Sequence, residues 1–509
     1  TVQTATSVMG NYTFKLTFEQ YSVILVCMAF FFTFLRLHEV KVTEKRVFHI
    51  AGFIVVALGC GLFTNQIILS DFMDEHQINI RMFRPMESYQ KYGGVLTFAR
   101  SVGYAVVKKP EGYTTAKVDQ IIQEYEKKSA NEQQSTAKQY PNIITVVNET
   151  FADIKVLGDF KTNEDYMPYF HSLKKNCVTG YTYASIVGGQ TANTEFELLT
   201  GNTLGFLSAG TTAFQLYIHG QMPSLVSNLK AEGYSGNKAM HPFNPYNYNR
   251  PAVYKDFGFT DFIDKFDFPK NVKRVREYIS DEANVDRIIS EYEKNRKKTD
   301  QPFYMYNMTI QNHSPYDKDA ANFKQPIKIE SSKYDAEANR YLNLIKYSDD
   351  SLKQLTSYFE KCKEPTIILF LGDHQPRLTD EFMNKITNGQ YQTWSSEQMM
   401  KRYQVPFVIW ANYDIKGQHI EKTSMNYIQS ILTQTAGVKM TGYQRFLNEV
   451  RKEVPTITSQ GYWGKNGKFY QINDKGSPYY GIIQKYRMIQ YNMMFDKKNR
   501  RDSFFEVSK

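Results

Sequence analysis

Thr191 stands in GGQTANTEFELLTG (188–201), after two glycines and a glutamine and ahead of an acidic, apolar, helix-like pattern. A hydroxyl at a helix start lies where backbone N–H groups and the helix dipole favour an anion, so Thr191 reads as a nucleophile. Thr194 and Glu197 fit a capping box, Thr-x-x-Glu, which would satisfy the free donors of a helix start. That pattern accounts for Thr194 and leaves Thr191 and its glycines unexplained. Three further stretches end in groups able to do chemistry. Glu149 closes PNIITVVNE, Asp373 and His374 close the run in LGDHQP, and His313 follows a third run in TIQNHSPY. A carboxylate, a carboxylate and an imidazole, with the Thr191 hydroxyl, make a four-ligand set for one divalent ion. Three oxygens and one nitrogen suit manganese, magnesium or zinc and do not choose among them.

Elements of known type must hold these groups together. PNIITVVNE (141–149), QPFYMYNMT (301–309), EPTIILFLGD (364–373) and VPFVIWAN (405–412) are β-branched and aromatic runs, each ending in polar residues, and predict strands. RYLNLIKYSDDSLKQLTSYFEKC (340–362) predicts an amphipathic helix with Leu342, Ile345, Leu352, Leu355 and Phe359 on one face. Strands alternating with helices imply an α/β domain with a mainly parallel sheet, functional at the carboxyl ends of its strands.

At 509 residues the chain is too long for one ordinary core. A net charge of +10 points to an anionic partner. No compact basic nucleic-acid motif appears, so lipid or a phosphate-bearing substrate ranks ahead of nucleic acid. The four cysteines show no Cys-x-x-Cys spacing and read as inert thiols.

The N-terminal part predicts a membrane section of two spans, about 21–37 and 47–69. YSVILVCMAFFFTFL (21–35) carries no charge, and VFHIAGFIVVALGCGLFTNQIIL (47–69) is long enough to span. Arg36, Lys41, Lys45 and Arg46 lie between them and Asp71, Asp74 and Glu75 follow, which places everything after Leu69 outside the cell. Residues 1–20 would then also lie outside, as expected of a fragment or processed form that has lost an odd number of earlier spans. Residues 71–139 read as juxtamembrane and linker helices, the stretch 118–139 as a helix fading into a flexible tether. Residues 140–509 read as the extracytoplasmic catalytic domain, with a C-terminal extension from about 440.

The order Glu149, then GQT with Thr191, then GDHQP with Asp373 and His374, resembles the lipoteichoic acid synthase family of the alkaline-phosphatase/sulfatase superfamily. The resemblance implies a sulfatase-like sandwich preceded by transmembrane helices, with one metal ion, typically Mn2+, on those four residues. It implies a threonine that attacks the phosphorus of phosphatidylglycerol. HPFNPYNYNR (241–250) looks like the family's substrate loop, with His241 and Arg250 nine residues apart; Tyr248 stands where the synthases carry a tryptophan. The tail, with GYWGKNGKFY and IIQYNMMFD, looks more like the subfamily that decorates wall polysaccharides with glycerol phosphate. No Cys/Ser-x-Pro-x-Arg motif surrounds Thr191, which weighs against sulfatase chemistry.

The expected enzyme is therefore a multi-pass cell-membrane glycerophosphotransferase. Its partners are phosphatidylglycerol as donor, an envelope glycan or polyglycerophosphate chain as acceptor, and the bilayer. Arg250 would bind phosphoryl oxygens, and His241 and His313 would orient glycerol phosphate or shuttle a proton. A carboxylate such as Asp256 is the alternative partner for Arg250. The competing functions are a phosphoethanolamine transferase or related metal-dependent phosphodiesterase, and a non-catalytic polymer-binding membrane protein.

Overall fold

The computed structural model describes residues 107–129 and 139–507 without interruption, 46–69 and 85–105, and a few positions between 28 and 80. The chain divides into two units, Thr1–Val106 and Val107–Lys509.

In the first unit, the helix Arg46–Phe63 covers most of the second expected span, and Ile50, Phe53, Val55, Val56, Leu58 and Leu62 on it are exposed. A π-helical turn, Thr64–Leu69, continues it. Among the described residues no helix is long and apolar enough to cross a membrane. The first expected span lies outside the described residues except for Met28, Ala29, Phe32 and Thr33.

The second unit is built on eight strands: β1 (Asn142–Asn148), β2 (Cys177–Tyr183), β3 (Ser235–His241), β4 (Asp261–Asp264), β5 (Phe303–Met308), β6 (Thr366–Gly372), β7 (Gln404–Ala411) and β8 (Gln418–Ser424). Their order across the sheet is β8-β2-β7-β6-β1-β5-β3-β4. Strand β7 runs antiparallel to both neighbours and the other pairings are parallel. The sheet is thus mainly parallel, as the alternation of strands and helices predicts.

Alternation along the strands builds two cores. Ile367, Leu369 and Leu371 of β6 enter one hydrophobic layer, Ile368 and Phe370 the other. Helices cover both faces, which is why the central strands are apolar on both sides rather than on one. The predicted amphipathic helix runs Ala336–Phe359 and buries Leu342, Ile345, Leu352, Leu355 and Phe359 in the second layer. Within the stretch read as a fading tether, the helix Thr115–Ser129 buries Val118, Ile121 and Tyr125 in the first layer. The C-terminal helix Tyr480–Met494 joins the same layer through Ile483, Tyr486 and Ile489.

Register positions the chemistry. Asn148 at the end of β1 lies opposite Gly372 at the end of β6, so Glu149 and Asp373 leave the sheet side by side. Gly372 has to be glycine, because a Cβ there would sit 1.8 Å from Phe151 O.

Candidate metal and phosphotransfer site

Glu149, Asp373 and His374 are buried and offer ligand atoms that all lie within 4.8 Å of one another. Thr150 holds the carboxylates in place. Its backbone N donates to Asp373 Oδ1 (2.7 Å) and its hydroxyl to Glu149 Oε1 (2.9 Å). It does so at φ 55°, a left-handed conformation that a β-branched residue adopts only under constraint. Asp373 Oδ1 also accepts from His374 N (2.8 Å), while Asp373 Oδ2 accepts no hydrogen bond.

Thr191 begins its helix, Thr191–Thr200, and brings its hydroxyl 3.5 Å from Glu149 Oε2. The cap residue is Gln190, in the left-handed region at φ 69° after Gly188 at φ 67°. The capping box expected at Thr194 and Glu197 does not form. Both residues lie inside the helix. Thr194 Oγ1 donates instead to Asp373 O (2.8 Å), and Glu197 Oε1 accepts from Ser185 Oγ (2.7 Å) and Leu204 N (2.9 Å). The helix starts one turn earlier because the glycine turn, rather than a side chain, ends the preceding segment. Thr194 then fastens the helix that Thr191 begins to the end of β6.

Hydrogen bonds fix the histidine rings. His374 Nδ1 faces Gln375 O (3.0 Å), His241 Nδ1 faces Met308 O (3.0 Å) and His313 Nδ1 faces Ser314 O (2.7 Å). A carbonyl accepts only, so each Nδ1 carries a proton, and in the neutral ring Nε2 is then the nitrogen with the lone pair. His374 Nε2 is buried without a hydrogen-bond partner and stands 3.2 Å from Asp373 Oδ2. Two acceptors at that distance repel each other unless a proton or a metal cation lies between them. Hard oxygens and one imidazole nitrogen fit a single divalent ion. Without one, burial and the neighbouring Asp373 charge push Glu149 up to about 8.

Arg250 sits behind this cluster. It begins the helix Arg250–Phe257, delivered by Tyr248 and Asn249 at φ 61° and 59°. Its Nη2 and Nε donate to Glu195 Oε1 at 2.6 and 3.1 Å, and its guanidinium lies 5.1 Å over the Tyr248 ring. Glu195 Oε2 accepts from Tyr254 (2.5 Å) and Tyr306 (3.2 Å). The carboxylate beside Arg250 is therefore Glu195 and not Asp256, whose Oδ2 accepts from Gly220 N. Burial opposes the Arg250 charge, and Glu195 outweighs it, holding the guanidinium above its ordinary range.

His241 ends β3, and burial together with Arg250 holds its ring well below the usual imidazole range. His313 lies against Phe243 at 6.3 Å, and Phe243 meets His241 at 6.0 Å. Arg276 secures the His313 loop by donating to Gln311 O, His313 O and Pro315 O at 2.9, 2.7 and 2.6 Å. Thr150, Glu195 and Arg276 were not legible as site residues. Glu195 alone left a trace, four residues after Thr191 on the same helix face.

A model of the sulfatase family matches residues 141–438, more than half of the chain, including β1 and β6, the two strands that carry the cluster. The chain belongs to the sulfatase family. Among its relatives, a Rhizobium meliloti protein named for cyclic beta-1,2-glucan modification is 30% identical over 84% of this chain and 65% of its own length. The lipoteichoic acid synthase of Staphylococcus saprophyticus is 24% identical over 70% of this chain and 55% of its own. The chain thus spans less than two thirds of the length of these curated relatives. Among solved structures, the Streptococcus pyogenes phosphoglycerol transferase GacH, in complex with sn-glycerol-1-phosphate, superposes at TM-score 0.63 with 20% identity, over 79% of this chain and 100% of that one. The Listeria monocytogenes lipoteichoic acid synthase LtaP superposes at 0.53 with 19% identity, over 76% and 98%. This sulfatase-family member thus has the alkaline-phosphatase-like α/β fold, and its likeness to lipoteichoic acid synthases bears out the resemblance drawn from the motifs.

Proposed function

We propose that the protein is a membrane-anchored glycerophosphotransferase. It moves glycerol phosphate from phosphatidylglycerol, through a Thr191-linked intermediate, to a cell-envelope polymer. The observation that carries this reading is the Thr191 hydroxyl at a helix start, 3.5 Å from Glu149, in a buried cluster where Asp373 Oδ2 and His374 Nε2 are bare. The named activities of GacH and the lipoteichoic acid synthases support the transfer of glycerol phosphate. The Rhizobium relative's name supports a glucan among the acceptors. The exposed apolar side chains of Arg46–Phe63 support anchoring, and the basic residues before that helix with the acidic ones after it support an outer position for the catalytic unit.

Glu149, Thr191, Asp373 and His374 would hold one divalent ion, with Mn2+ the first choice. Such an ion supplies Lewis acidity that eases ionisation of a bound hydroxyl and offsets phosphoryl charge. Thr191 Oγ bonds to phosphorus as the bond to the diacylglycerol oxygen breaks, and that oxygen leaves with a proton. Arg250 Nη1, the guanidinium nitrogen not used on Glu195, is available to a phosphoryl oxygen. His241 Nε2 keeps its lone pair and serves as base for the acceptor hydroxyl in the second step. That hydroxyl bonds to phosphorus, and Thr191 leaves and regains its proton. The test is release of diacylglycerol from labelled phosphatidylglycerol by the full chain in detergent, with Mn2+ and with chelator. Release that is absent in both conditions sinks the reading.

A further inference from the structure

The loop after β3 also leads outward from the site. Phe243 lies edge-on to buried His241 at 6.0 Å and stacked on His313 at 6.3 Å, with Tyr278 at 6.1 Å. Lys265 N donates to Phe243 O (3.4 Å), which ties this loop to the short helical turn Lys265–Asp267. The Lys265 ammonium then bridges two rings, 6.0 Å from Phe243 and 4.9 Å from Phe266. Phe266 is 73% exposed, and Tyr246, on the Phe243 loop, is 55% exposed. Among the described residues of the second unit, Tyr334 is the one other large apolar side chain of comparable exposure. Aromatic faces thus run from the candidate base His241 to solvent. A large apolar ring left 73% exposed, held by its own chain through the Lys265 ammonium, marks a binding surface.

We propose that Phe243, Phe266 and Tyr246 form the platform on which a neutral sugar chain lies as acceptor, presenting a hydroxyl to His241 Nε2. This rests on the phosphotransfer reading above. Charge favours sugar over lipid here. Asp264 and Asp267 flank Phe266 and are fixed by bonds from Phe266 N to Asp264 Oδ1 (2.7 Å) and from Asp264 N to Asp267 Oδ2 (2.8 Å). With Lys265 between them the turn keeps one net negative charge, which opposes an anionic bilayer, whereas carboxylates accept from sugar hydroxyls while the C–H face of a pyranose covers the rings. The second step is unchanged in its balance: one sugar O–P bond forms, the Thr191 O–P bond breaks, and one proton passes from sugar to threonine.

The test uses the full chain in detergent with Mn2+, labelled phosphatidylglycerol, and β-linked gluco-oligosaccharides from glucose to a hexasaccharide. The readout is the ratio of glycerol phosphate transferred to sugar over that lost to water. In the wild type this ratio rises with chain length. Phe266→Ala and Tyr246→Ala lower it by about tenfold for the hexasaccharide and leave glucose unaffected, and Phe266→Tyr restores it. The proposal is overturned if the alanine variants change the hexasaccharide ratio by less than about twofold, or if the wild type shows no dependence on chain length. A defect that instead tracks the anionic lipid content of vesicles also overturns it and assigns the rim to the membrane. Absence of any diacylglycerol release by the wild type overturns the phosphotransfer reading itself, and this proposal with it.

Discussion

Two buried charge clusters lie next to each other in the second unit, and they are finished differently. In one, Glu195 and Arg250 are paired, and Tyr254 and Tyr306 complete the carboxylate, so the charges are balanced within the protein and Nη1 is the guanidinium nitrogen not bonded to Glu195. In the other, Glu149, Asp373 and His374 come together with Asp373 Oδ2 and His374 Nε2 left without hydrogen-bond partners. Both are almost wholly removed from water, where an uncompensated charge is costly. The paired cluster is scaffold that holds a guanidinium in place; the unpaired one is complementary to something the chain does not itself supply. One helix joins them, with Thr191 facing the open cluster and Glu195, one turn on, the closed one.

The comparison breaks most sharply at Thr191. Thr191→Ala removes the oxygen proposed to attack phosphorus and should lower diacylglycerol release by on the order of 10⁴-fold, with an unchanged thermal transition. Near-normal turnover of the folded variant would make Thr191 structural. Next comes the closed cluster. Glu195→Gln leaves Arg250 buried without a counter-charge and should cost about 3–5 kcal/mol of stability, equally with and without Mn2+. A melting temperature that moves only in the presence of Mn2+ contradicts the division between scaffold and open site.

The open cluster should behave in the opposite sense. Wild-type protein gains about 2.7 kcal/mol when Mn2+ is held at a hundred times its dissociation constant, and Asp373→Asn should lose most of that gain. Calorimetry that finds equal Mn2+ stabilisation in both proteins removes Asp373 from the ligand set. Arg250→Lys tests whether the paired arginine also meets substrate. Lysine keeps the charge but cannot serve Glu195 and a phosphoryl oxygen with one planar fork. Turnover should fall roughly ten- to a hundredfold, as about 1.5–3 kcal/mol of charge-assisted contact is lost. A change below about twofold assigns Arg250 to Glu195 alone.

Individual residues show what could be read in advance. Glu149, Asp373 and His374 were legible because apolar β-branched runs end in them, and that transition is a local property of the chain. Thr191 was legible from its glycines. Thr194 and Glu197 misled because Thr-x-x-Glu spacing says nothing of where a helix begins; the left-handed Gln190 decides that. Arg250 was legible as a cation and its partner was not. Asp256 is six residues away along the chain, whereas Glu195 is 55 away and reaches Arg250 only because two helices meet over one sheet face. Thr150 gave no sign at all, since its role depends on a backbone angle that the residue type disfavours.

The sequence by itself determined the kinds of element, the groups at their ends and the presence of a hydroxyl at a helix start. These follow from periodicity and turn chemistry, which act over a few neighbouring residues. The tertiary structure alone decided that Glu149 and Asp373 stand side by side, because the β1–β6 register aligns Asn148 with Gly372 across 224 residues of chain. It decided that Nδ1 of each of these histidines carries a proton, because carbonyls of the folded loops accept a hydrogen bond from it. It also decided which carboxylate is neutralised and which is left open. Burial makes every charge seek a partner, and strand order determines which partner is within reach.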